Sequence, residues 1–162
     1  MKNSIVFGVA LAALLGIGRI AWSHCEIPCG IYNDKARIVA ILEDITTVEK
    51  SMKQITEISA AEKPNQNQLV RWVMNKEKHA TRIQETVTQY FLTQRIKVPA
   101  AGDEKANAKY LRQLALLHQI MVKAMKMKQT TDLGHVADAR KLVDEFAASY
   151  FSAEDLKHLR DH

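Results

Sequence analysis

From Ile38 to Ile58 the apolar side chains Ile38, Ile41, Leu42, Ile45, Val48, Met52, Ile55 and Ile58 recur three and four residues apart. That period places them on one side of a helix, so the run predicts a single long amphipathic helix whose apolar face has to be covered. Asn33-Asp34 offers a cap at its start, and Pro64 ends it because proline disfavours helical backbone in the residue before it. Asn65 or Asn67 can cap a second helix running to about Lys97, with Leu69, Val73, Ala80, Ile83, Val87, Tyr90 and Phe91 on its buried face. After the linker Val98-Pro99-Ala100-Ala101-Gly102, Asp103 is a good cap for a third helix with Tyr110, Leu111, Leu114, Leu117, Met121 and Met125 inward. Thr130-Thr131-Asp132 opens a fourth with Val136, Ala139, Val143, Phe146 and Tyr150 inward, and Ser152-x-x-Asp155 has the form of a capping box for a short last turn. No helix can bury such a stripe by itself. The expected architecture is therefore all-α, an antiparallel up-down four-helix bundle over 33–162.

Composition agrees with that class and narrows the partners. Six Gly and three Pro in 162 residues are too few for a many-turned β-sandwich or barrel. The net charge of +5 comes from basic residues scattered among acids, without an unopposed basic run, which argues against a nucleic-acid partner. A mildly cationic surface favours small anions over a duplex. G-x-S-x-G, P-loop and dinucleotide fingerprints are all absent from the sequence, so hydrolase and nucleotide-binding readings lack support.

Residues 1–23 read as a targeting signal. Lys2 precedes the apolar run Ile5 to Gly18, and Ala21-Trp22-Ser23 places small residues at −3 and −1 of a cut before His24. The apolar run is shorter than the roughly 20 residues a membrane-spanning helix needs, so a cleaved leader is expected rather than an anchor. Its loss lowers the net charge from +5 to about +3. The expected destination is periplasmic or extracellular, without stable membrane association after cleavage. If the leader were a non-secretory propeptide, the protein would be cytoplasmic.

Cleavage there makes the mature chain begin His24-Cys25-Glu26-Ile27-Pro28-Cys29-Gly30-Ile31-Tyr32. A free α-amine, an imidazole, a backbone nitrogen and two thiolates then lie within six residues. Pro28 fixes one φ angle and Gly30 permits a tight turn, which lets the chain curl and bring Cys29 beside Cys25. Two readings are open. The cysteines, the chain's only two, form a small local disulfide, or the run is a metal hook. Two nitrogens and two thiolates in a plane suit Ni(II) or Cu(II), whereas Zn prefers a tetrahedron.

The run H-C-x-x-P-C-G-x-Y at a processed amino terminus, ahead of four helices of this size, resembles nickel superoxide dismutase. The motif resemblance covers His24 to Tyr32. It implies one nickel ion per subunit, bound in a plane by the His24 amine, the Cys25 amide and the Cys25 and Cys29 thiolates, with the His24 imidazole axial in the oxidised state. It implies that Tyr32 lines the approach of superoxide and holds ordered water near the metal. Nickel then alternates between Ni(II) and Ni(III) as superoxide disproportionates to dioxygen and hydrogen peroxide. The family is hexameric, which makes a homohexamer the expected assembly. Two departures stand out. Glu26 falls where an aspartate is common, and Val39 falls where a glutamate of the first helix orients the axial imidazole; Glu43, Asn75, Lys76 and His79 are the substitutes the sequence offers.

Rival readings are an exported nickel or copper carrier using the same hook without turnover, and a helical interaction module with a disulfide loop. Tyr32 and the Pro28-Gly30 geometry favour the enzyme, since a carrier needs donors but no guarded anion channel. His118 is expected to be a packed or surface histidine. Asp132-x-x-His135 and Asp155-x-x-His158 are expected to serve helix starts rather than a second metal. Met121 and Met125 fall on the expected core stripe.

Overall fold

The computed structural model describes residues 32–160. Helix α1 spans Asp34–Ser59, α2 Gln66–Glu85 with a π-helical continuation Thr86–Arg95, α3 Glu104–Gln129, α4 Gly134–Tyr150 and the short α5 Ala153–Arg160. No strand occurs among the described residues. Caps set the boundaries where the sequence placed them. Asn33, Asn65 and Asp103 accept from the backbone nitrogens of Ala36, Gln68 and Ala106 at 3.0, 3.1 and 2.9 Å. Gly102 takes φ +88°, the left-handed conformation that ends the linker into α3. Before α4 the Asp132 carboxylate accepts from the Gly134 nitrogen at 2.8 Å, and Ser152 caps α5 by accepting from the Asp155 nitrogen at 3.2 Å.

Cross-links between helices fix an antiparallel ring. Asp44 and Ser51 of α1 meet His79 and Asn75 of α2, so the two chains run oppositely. Gln84 of α2 reaches the Met121 carbonyl of α3, Lys123 of α3 pairs with Asp138 of α4, and Arg140 of α4 returns to Glu49 of α1. The core between them holds Ile38, Ile41, Ile45, Val48 and Met52 of α1, Ala80, Ile83, Val87 and Phe91 of α2, Leu117, Ile120 and Met127 of α3, and Val136, Val143 and Phe146 of α4. This is the expected up-down four-helix bundle.

Three expected core positions are exposed, and α2 ends differently. Val73 is 38% exposed because the Lys76 ammonium already touches the last carbonyls of α3, so the turns of α2 before it project past the end of that neighbour. Leu111 and Met125 are solvent-exposed because α3 turns Gln113, Leu116, Leu117, Ile120, Ala124 and Met127 inward; Met121 sits half-buried at the edge. Gln113 tolerates burial because its amide donates to the Ser149 carbonyl at 3.2 Å. The second helix stops at Arg95 rather than Lys97, and its last ten residues widen to the π form. Thr93 and Gln94 there donate through their side chains to the carbonyls five residues back, at 2.8 and 2.9 Å.

Lys76 is the least expected buried group. Its ammonium donates to the carbonyls of Met127 at 3.0 Å and Thr130 at 3.5 Å, and to that of Lys128. A cation at the negative end of α3 completes acceptors that the helix cannot satisfy internally. Lys76→Met keeps the apolar stem but removes the donor, and should lower stability by about 2 kcal/mol in urea unfolding. Lys78→Met, on an exposed face, should change it by less than about 0.5 kcal/mol.

Candidate metal centre

Residues 24–31, and with them His24, Cys25 and Cys29, lie outside the described residues, as do residues 1–23, where a leader is expected. Tyr32 is described, and it marks where that segment joins the bundle. Its ring is 38% exposed, meets Tyr90 edge-on at 5.9 Å between centroids, and has the Arg95 guanidinium carbon 4.2 Å from its own centroid. From Tyr90 a run of edge-on contacts passes through Phe91 and Phe146 into the core. The Tyr32 ring is therefore packed against an aromatic run that enters the core.

Below Tyr32 lies Asp34, the first residue of α1. Its Oδ1 accepts from the Tyr90 hydroxyl at 2.6 Å and Arg95 Nε at 2.9 Å, and its Oδ2 from Arg95 Nη2 at 2.8 Å and the Tyr150 hydroxyl at 2.8 Å. The antiparallel order makes this possible, since the start of α1 and the ends of α2 and α4 share one end of the bundle. Burial works to raise the Asp34 pKa, but the hydrogen bonds from Arg95, Tyr90 and Tyr150, with the charge of Arg95, outweigh it and hold the carboxyl below its usual value. Burial and the bond to anionic Asp34 push the phenols of Tyr90 and Tyr150 up to about 12. The bond to Asp34 raises Arg95 as well. Beside this cluster a polar depression of about 450 Å³ is lined by Tyr32, Asn33, Asp34, Lys35, Tyr150, Phe151, Ser152 and Asp155.

The substitutes suggested for the glutamate replaced by Val39 are placed elsewhere. Val39 itself is 41% exposed. Glu43 faces solvent, Asn75 donates to Ser51 at 3.0 Å, and Lys76 is committed to α3. His79 Nδ1 lies 2.6 Å from Asp44, ten residues along α1 from Asp34 and so about 15 Å further down the helix. The groups around Tyr32 are instead Arg95, Tyr90 and, over the Tyr90 ring at 5.1 Å, Arg37. Sequence reading placed Tyr90 and Tyr150 on core stripes and Asp34 in a cap, and it missed Arg95. The available signal was an acid at the start of one helix and tyrosines at the ends of two others that an antiparallel bundle brings to the same end. His118 is exposed; Asp132 serves α4, and Asp155 pairs with Lys35 at 2.9 Å. Among the described residues no group of three or more His, Cys, Asp or Glu could hold a metal.

A family model for nickel-containing superoxide dismutase matches residues 19–154, which include the run His24 to Tyr32 and nearly all of the bundle. The chain belongs to the nickel-containing superoxide dismutases. It is an oxidoreductase that acts on superoxide, and its cofactor is nickel. Membership sets aside the carrier and interaction-module readings. No significant match was found among curated proteins or among solved structures.

The Asp34 cluster predicts how this dismutase titrates. Absorbance titration should show the Tyr90 and Tyr150 phenols ionising near pH 12, and Asp34→Asn should return both toward 10.0. Folding favours the neutral phenols, so their stabilisation is complete below pH 10 and is lost as pH rises toward 12. Asp34 works at the other end of the scale. Its contribution is complete above pH 3.8 and is lost as pH falls through its lowered folded value, so the stability gap between wild type and Asp34→Asn should close in acid.

Proposed function

We propose that residues 24–32 are the nickel hook of this dismutase, that 1–23 are a leader removed before His24, and that 33–162 form the supporting bundle. His24 would hold nickel through its α-amine and imidazole, Cys25 through its backbone nitrogen and thiolate, and Cys29 through its thiolate. The reading is carried by the family match running through this segment, together with a donor set of two nitrogens and two thiolates that fits nickel. Cys25 and Cys29 are the chain's only thiols.

Nickel, when bound, supplies the one-electron exchange with superoxide. The chain supplies the rest. The reaction consumes two superoxide ions and two protons and gives dioxygen and hydrogen peroxide. Tyr90 and Tyr150 stay protonated to about pH 12 as donors to Asp34, so they fix geometry and are not the proton source. Tyr32, with its ring part-exposed above them, is the phenol that meets water on the approach to the metal. Arg95 holds that ring from one face.

The leader layout supports export to the periplasm or beyond, and no described helix is long and apolar enough to cross a membrane. A homohexamer is the assembly we propose. Val70 and Met74, 56% and 66% exposed on the outer face of α2, offer apolar surface for contacts between copies.

Intact mass of the exported protein should correspond to a chain starting at His24. Cys25→Ser and Cys29→Ser should each abolish nickel-dependent superoxide turnover while circular dichroism shows wild-type helix content, because the buried core cluster is drawn from residues 38–146. Full activity with the leader retained would contradict the amine ligand, and global unfolding of either variant would point to a structural disulfide.

A further inference from the structure

Asp34 carries more hydrogen bonds than its position in a helix calls for. Asn33 already caps α1, and an acid in the first turn gains its dipole energy while pointing into water. Here the carboxylate is instead filled by four donors from three side chains on two other helices.

The π segment explains how two of those donors come from one helix. Tyr90 and Arg95 are five residues apart; in an α-helix they would point about 140° away from each other. The widened turns of Thr86–Arg95, with hydrogen bonds reaching one residue further back, return both to the same side, and both meet Asp34 Oδ1. Such segments have poorer intrinsic stability than regular helix, and this one places Arg95 where a regular continuation of α2 would not.

Arg95 then acts in two directions. The edge of its guanidinium grips both oxygens of Asp34, and its face lies over the Tyr32 ring, 4.2 Å from the centroid. Tyr32 is three residues after Cys29 and two before Asp34. The clamp therefore acts on the residue through which residues 24–31 join α1.

Building on the dismutase reading, we infer that Asp34 and Arg95 are positioning residues for the nickel hook: Asp34 fixes the guanidinium plane, and that plane clamps Tyr32. Neither touches the metal or the reacting oxygen. The pair joins the start of α1 to the end of the π segment, and it bears on Tyr32 rather than on Val39.

The test uses processed protein carrying Asp34→Asn or Arg95→Lys, with Asp138→Asn, which breaks a remote pair to Lys123, as control. Arg95→Lys keeps the charge and loses the fork and the planar face. In metal-free protein, both test variants should shift the Tyr32 ring resonances in nuclear magnetic resonance, and the control should not. After nickel loading, both should retain metal and helix content but lose about 10–100-fold in kcat. Their electron paramagnetic resonance should show a broadened axial nitrogen splitting. Wild-type ring shifts, spectrum and kcat in Arg95→Lys would overturn the proposal, and that variant decides the matter even if Asp34→Asn fails to fold. A wild type that takes up no nickel would overturn the hook assignment, while the Tyr32 shifts in metal-free protein would still decide the clamp.

Discussion

A carboxylate at the junction of hook and bundle organises this end of the molecule. Asp34 is largely withdrawn from water, and a charge so placed is tolerable only when its lone pairs are filled. Tyr90, Arg95 and Tyr150 fill them, which ties the start of α1 to the ends of α2 and α4. The antiparallel order brings those ends together, and the π segment aims two of the donors from a single helix. Remove the carboxylate, and a buried phenol, a half-buried phenol and a guanidinium lose their shared acceptor.

This arrangement answers a mechanical difficulty. A hook of nine residues has too few apolar side chains to hold itself in one conformation, and a redox centre needs its ligands kept in place through each change of oxidation state. The bundle meets that need from outside. Tyr32 is stacked on Arg95, set edge-on to Tyr90, and joined through Phe91 and Phe146 to side chains with almost no solvent exposure. In the proposed reading, reactivity is confined to a short segment. The stiffness comes from elsewhere in the chain.

Much of this was legible in the sequence because helices announce themselves by period and caps. Ile38 to Met52 gave α1 its buried face, and Asn33, Asn65 and Asp103 each cap the helix expected of them. The run His24 to Cys29 stands out by residue type and spacing, and it lies outside the described residues. What escaped depends on neighbours. Val73 reads as core until α3 is seen to end short of it, and Gln113 reads as surface until Ser149 is found within reach. The π turns carry no proline or glycine to mark them, and Arg95 acquires its role only when α1 begins beside it. Asp34 was visible but ordinary, an acid in a first turn, because its four donors lie 56 to 116 residues further along the chain.

The claim on which the account turns is that the amino-terminal run, seated on Tyr32, holds the catalytic nickel. Nickel K-edge X-ray absorption of the processed, loaded protein addresses it directly. The account predicts a coordination shell with two sulfur neighbours alongside nitrogen donors, losing one sulfur in Cys29→Ser. A shell of nitrogen and oxygen alone in protein that still turns over superoxide would contradict it.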